Sequence, residues 1–155
     1  MSILYAILIS LAACSAAAAL EGSCAGKNVR SYFAKLRFPP YSAPLWVWYI
    51  IGGLYYLLFF FLIYRILRHD GDTVLRNTAL IFILFMMVAN GLWNYVFFRS
   101  RNLRLSFISS SLAPIFDIAL FVLLVQLDRL GTLAIVPYLL YRVYALWWGY
   151  NLWKF

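Results

Sequence analysis

The chain has 155 residues, of which 66% are hydrophobic, 20% aromatic and only 12% charged. A soluble domain carries roughly a quarter of its residues as charges, so this composition excludes one. The formal net charge of +8 calls for an acidic partner, and in so apolar a chain that partner is the surface of a membrane rather than a nucleic acid.

Five apolar runs follow one another, at about 3–20, 46–64, 78–98, 105–127 and 132–153. Each is close to the ~20 residues that cross a ~30 Å hydrocarbon core. The runs are continuous, whereas strands of a membrane barrel would alternate apolar and polar residues over ~10-residue segments. Helices also satisfy their own backbone hydrogen bonds in lipid. The sequence therefore predicts an all-α, polytopic membrane protein: one domain, residues 1–155, built as a five-transmembrane-helix bundle.

The first run, ILYAILISLAACSAAAAL, contains a stretch, Leu11–Cys14, that resembles a lipoprotein cleavage box. No Lys or Arg precedes it, so the basic start of a signal peptide is missing. Its small residues suit close helix approach in a bilayer, and the run reads as a span. Cys14 and Cys24 would stand roughly 15 Å apart along one helix, too far to bridge.

The loops set the orientation. The long first loop carries Lys27, Arg30, Lys35 and Arg37, and the third carries Arg99, Arg101 and Arg104; both share a side with Lys154. The opposite side has Arg65, Arg68, Arg76 and Arg129. The excess predicts a cytoplasmic first loop and C-terminus and an outside N-terminus. His69 sits alone among loop charges and has no second metal ligand at useful spacing, so no metal site is expected. No phosphate-binding loop, dinucleotide fingerprint or nucleophile–base pair is visible, and no cofactor is required.

Polar residues inside the spans are the informative ones. In the third run, ANGLWNYVFF, residues Asn90, Trp93, Asn94 and Phe97 fall at i, i+3, i+4 and i+7, one helix face. Buried amides need partners. The face can serve as interhelical glue, worth ~0.6 kcal/mol per bond, or as the polar wall of a ligand pocket. Asp117 and Arg142 lie near the middles of the fourth and fifth runs, which a tight turn makes antiparallel neighbours. Each charge costs about 2.5–3.5 kcal/mol at a helix centre, so the two are expected to pair. Arg142 has the further option of meeting an acidic ligand group.

In order along the chain, YFAKLRFPPYSAPLWVW, LYY, ANGLWNYVFF, PYLLYRVYA and YNLWKF resemble the TspO/MBR family of tryptophan-rich sensory proteins and mitochondrial translocator proteins. Tyr32 and Phe33 stand at the family's Trp-Tyr pair, Pro39 and Ala43-Pro44 at its prolines, and Trp46-Val47-Trp48 at its Trp-Val-Phe. Asn90, Trp93, Phe97 and Phe98 match the third-span motif, with Asn94 at its Ser. Pro137, Tyr138 and Ala145 match the fifth, with Tyr141 at a usual Trp. The sequence departs from the family at Ile51-Gly52-Gly53, where Val-Trp-Thr is usual, and at Gly149, where Asn is usual. Asp117 and Arg142 replace apolar residues.

The resemblance implies a five-helix bundle, often a homodimer, with a pocket facing the first loop. It implies tetrapyrrole ligands, porphyrin or haem, and in some members sterols. Trp46, Trp48, Tyr138, Tyr141 and Ala145 join the third-span face and the Asp117–Arg142 pair as its expected ligand-binding residues. Leu146, Tyr150 and Lys154 fit a sterol-contact pattern, one that interfacial anchoring also explains. The expected function is a sensor, carrier or scavenger of such a ligand. The alternatives are an enzyme acting on a tetrapyrrole or isoprenoid within the bundle, with Asp117 as its acid, and a sterol- or lipid-binding regulator.

Overall fold

Polar residues at the membrane boundaries decide where each helix begins. The computed structural model describes residues 1–154. It contains α1 (Ile3–Ala25), α2 (Val29–Ala34), α3 (Leu45–Leu67), α4 (Thr73–Asn94), α5 (Leu103–Leu127) and α6 (Arg129–Lys154), with no strand among the described residues. The side chains of Ser2, Asp72 and Asn102 accept hydrogen bonds from the first free N–H groups of α1, α4 and α5. Asp128 does the same for α6, accepting from the Gly131 N–H at 3.0 Å. These are capping residues that satisfy donors a helix start leaves unpaired. Pro44 precedes α3, where its missing N–H costs nothing.

Five of the helices are long and apolar enough to cross a membrane, and the chain is an integral, multi-pass membrane protein. The helices outrun the predicted spans because apolar runs mark the hydrocarbon core and not the helix ends. α1 continues through Glu21 to Ala25, and α4 starts at Thr73, ahead of Arg76 and Asn77. Beyond Asn94 the third span widens into a π-helical turn, Tyr95–Arg99, in which the Ser100 N–H reaches the Tyr95 carbonyl at 2.9 Å. Nothing in the apolar pattern announced that turn.

The long helices form a ring. α1 packs on α3 and α4, α4 on α5, α5 on α6, and α6 back on α3. Gly91 lets α1 approach α4, because a Cβ there would lie 3.0 Å from Leu20 Cγ. At one end, the C-terminal part of α3 meets the N-terminal part of α4 and the C-terminal part of α5. Phe59, Leu62, Ile66, Ile83, Leu120 and Leu124 are fully buried there. At the other end the buried cluster is aromatic, with Tyr32, Phe33, Phe97 and Trp148 at its centre. Outside the ring, Leu4, Leu57, Ile81, Ile118 and Leu140 face outward, as lipid contact requires. Cys14 and Cys24 are free thiols.

Candidate functional site

The space inside the ring lies at the aromatic end. Two cavities, about 370 Å³ and 480 Å³, share a wall. Volumes of this size suit a small-molecule pocket, which runs ~300–1,000 Å³. The smaller cavity lies between α4, α5 and α6; the larger lies between α1, α3, α4 and α6. Asn90, Trp93 and Phe97 from α4 and its π turn, with Tyr138, Tyr141 and Arg142 from α6, line both. Trp48 and Trp148 also border both, with ring centroids 4.8 Å apart.

The first loop closes this end. Trp48 Nε1 donates to the Ala43 carbonyl at 3.1 Å, and Trp148 Nε1 donates to Ser42 Oγ at 3.2 Å. The Ala43 N–H donates to the Tyr144 hydroxyl, which donates in turn to the Tyr41 carbonyl. The stretch PPYSAP is thus a backbone strap tied to Trp48 and to Tyr144 and Trp148 of α6. Tyr41 takes φ 66° in that strap, a left-handed conformation unusual for a bulky residue.

The polar face of α4 divides its work. Trp93 Nε1 donates to the Ser106 carbonyl of α5 at 3.1 Å, while the Trp93 ring stacks on Phe97 at 4.8 Å. Asn94 Nδ2 donates to the Asn90 carbonyl at 2.9 Å and to Glu21 Oε1 at 3.4 Å. Both residues are therefore interhelical ties and cavity wall together. The Asn90 side chain faces both cavities and, among the described residues, has no protein hydrogen-bond partner.

Glu21 was not singled out from the sequence, where it reads as one more loop charge. It ends up in the larger cavity, accepting from the Tyr56 hydroxyl as well as from Asn94. α1 continues past its apolar run to Ala25 and so carries this acid into the bundle. Gly52 and Gly53 also line the larger cavity, and a Cβ on either would meet nothing within 4 Å. The missing side chains are empty space.

Asp117 and Arg142 pair across α5 and α6, with Arg142 Nε donating to Asp117 Oδ2 at 3.1 Å. The Asp117 side chain is only 4% exposed. Its second oxygen, Oδ1, is buried without a partner. Arg142 also lies over the Tyr138 ring, 5.9 Å from its centroid.

Other expected site residues lie elsewhere. Trp46 borders neither cavity and is 64% exposed on the outer face of α3. It precedes Trp48 by two residues, so a helix turns it well away from the wall that Trp48 joins. Ala145 lines the smaller cavity. Leu146, Tyr150 and Lys154 border neither. Tyr150 packs on Phe107, and Lys154 Nζ sits 4.0 Å over the Trp153 ring, an anchoring arrangement at the end of α6. No cluster of metal-ligating side chains occurs among the described residues.

A ring of membrane helices around an aromatic-walled, ligand-sized cavity under a loop strap defines the class of this protein. Residues 8–154 match the TspO/MBR family, and the chain belongs to that family. No curated protein matches the sequence.

Proposed function

We propose that this protein binds a flat, hydrophobic ligand of the tetrapyrrole class, porphyrin or haem, in the cavities of its aromatic end. It acts as a sensor, carrier or scavenger rather than as an enzyme. The observation that carries this reading is the shared wall, where Trp48, Trp93, Phe97 and Trp148 set aromatic rings along two adjoining spaces. Aromatic faces stack on a flat π-system and add ~0.5–1.5 kcal/mol per ring pair beyond the area buried. The unpartnered Asn90 amide supplies a polar handle. Ligand carboxylates would face the end that carries Lys27, Arg99 and Arg101.

That end is the cytoplasmic one in our reading, with the N-terminus outside, because it holds the Lys/Arg excess. An externally applied, impermeant thiol probe should fail to label a cysteine introduced at Lys35 in intact cells.

The reading as a binder rather than an enzyme rests on Asp117, which spends one oxygen on Arg142 and so is poorly placed to act as a free acid. The test is a titration of purified protein with protoporphyrin. Asn90→Ala and Trp93→Ala should each weaken binding, by roughly tenfold for the loss of one stacked ring or one buried hydrogen bond, without loss of helix content. Unchanged affinity in both variants would reduce the third-span face to helix glue.

A further inference from the structure

The pairing of Asp117 with Arg142 leaves hydrogen-bonding capacity unused on both partners. Arg142 spends only Nε on the pair, while its Nη groups have no protein partner among the described residues. Asp117 keeps Oδ1 free although that atom is buried. Both residues border the smaller cavity. A buried carboxylate oxygen without a donor loses its hydration for no return. A small rotation of the Asp117 carboxyl would bring this acceptor to the cavity wall beside the Arg142 donors, midway along α5 and α6.

Charge decides what fits. The pair is neutral as a unit, because a carboxylate and a guanidinium cancel. A ligand carboxylate placed on Arg142 would leave three charges with a net negative sum in a low-dielectric site. It would also face Oδ1 with lone pairs rather than with a proton. A neutral group with a donor and an acceptor side by side completes both partners and adds no charge. Its N–H or O–H donates to Asp117 Oδ1, and its carbonyl accepts from an Arg142 Nη.

We propose that Asp117 and Arg142 form a neutral head-group subsite that selects ligands bearing an adjacent donor and acceptor, such as a primary amide or a lactam, over carboxylates. The proposal rests on the reading of the bundle as a ligand-binding cavity and adds a chemical selectivity to it. The cationic end and this subsite then have separate tasks: the first takes ligand anions at the membrane surface, and the second takes a neutral polar edge at mid-depth. Ser106 and Ser110, which line the same cavity from α5, bond to backbone carbonyls of their own helix, so they do not compete for Oδ1.

Three probes with one ring system separate the cases: 9-anthracenecarboxamide, its methyl ester analogue methyl 9-anthroate, and the anion 9-anthroate. Binding to the full chain in nanodiscs of zwitterionic lipid is read by energy transfer from tryptophan to anthracene, corrected for empty discs. The carboxamide should bind at least about tenfold more tightly than the ester, which lacks a donor and strands Oδ1. It should also bind more tightly than 9-anthroate. In the double variant Asp117→Leu/Arg142→Met, which replaces the buried pair with apolar volume that membrane and soluble cores accept, the amide should lose its advantage over the ester. Equal binding of amide and ester by the wild-type protein overturns the proposal without recourse to any variant. Tighter binding of 9-anthroate also overturns it and makes Arg142 a carboxylate site. If no anthracene probe binds while protoporphyrin does, the subsite is refuted and the cavity function stands; if protoporphyrin also fails to bind, the cavity function itself is refuted.

Discussion

The two ends of the bundle use different side chains and reach different results. One end is packed with branched aliphatic residues around Phe59: Leu62, Ile66, Ile83, Leu120 and Leu124 leave almost no surface exposed. The other is built from Tyr32, Phe33, Phe97 and Trp148, with glycines at 52 and 53 where a Cβ would meet only open space. Aliphatic side chains interdigitate to near-crystalline density. Large rigid rings set beside glycine do not, and the unfilled volume becomes a cavity. Charge follows the same division. Asp128 balances Arg65 through two hydrogen bonds of 2.9 and 2.6 Å at the packed end, whereas at the aromatic end Glu21 is occupied by Tyr56 and Asn94 and, among the described residues, no ion pair joins the cations. The lesson is that one end holds the helices together and frees the other to stay partly empty.

The border between the ends should be the most fragile place. Removing one member of a buried ion pair costs about 3–5 kcal/mol. Asp117→Ala should destabilise more than Arg142→Ala, because arginine keeps its charge while an orphaned carboxyl can bind a proton. The double Ala variant should recover part of the loss. Thermal unfolding in detergent of the three variants measures this, and strict additivity would show that the two residues do not act as a pair.

Next in size is Phe59→Ala within the packed end. In a bilayer the cost comes from lost packing more than from exposure to water, which leaves about 2–3 kcal/mol for a residual cavity near 100 Å³. The same measurement on Trp93→Ala should give a smaller loss, since that ring already borders open space. Equal losses would mean that the aromatic end is as tightly packed as the aliphatic one.

Glycines sharpen the contrast. Gly91→Val drives a branched side chain into Leu20 and should cost roughly 1–3 kcal/mol by overpacking. Gly53→Ala meets nothing and should instead gain up to about 1 kcal/mol from helix propensity. Each change adds a side chain to a helical glycine, one into a contact and one into open space.

The smallest effect is a matter of pH. The hydrogen bonds from Arg65 hold the Asp128 carboxyl below its ordinary range, against the opposing pull of burial. A depressed folded value stabilises the protein above the unfolded carboxylate value of ~3.9 and is lost as pH falls through the folded one. With Arg65 more than a third exposed, solvent screening limits the contribution to about 1 kcal/mol or less. Asp128→Asn should therefore lower stability slightly near neutral pH and flatten its dependence below pH ~4. An unchanged acid profile would show that the pair contributes nothing.

Much of this architecture was legible in the sequence, for definite physical reasons. Span number follows from hydropathy alone, and the meeting of Asp117 with Arg142 follows from a one-residue connection between antiparallel helices. Trp46 shows what pattern matching misses: its motif places it beside the site, but its helical phase turns it to lipid. Glu21 was hidden because an acid at a span end reads as a loop residue until its partner, Tyr56, is known. The empty space itself had only an indirect trace, the glycine pair at 52 and 53.

The π turn at Tyr95–Arg99 carries a consequence for the chain's tolerance of change. A π turn spends one residue more than an α turn on the same arc. The third span therefore holds a spare residue at its end, where it packs on α1 and α5. Deleting Val96 should tighten the turn to an ordinary α turn and keep Phe97 and Phe98 on their present side of the span, whereas the same loss within α4 would rotate every later side chain of the span by more than a quarter turn.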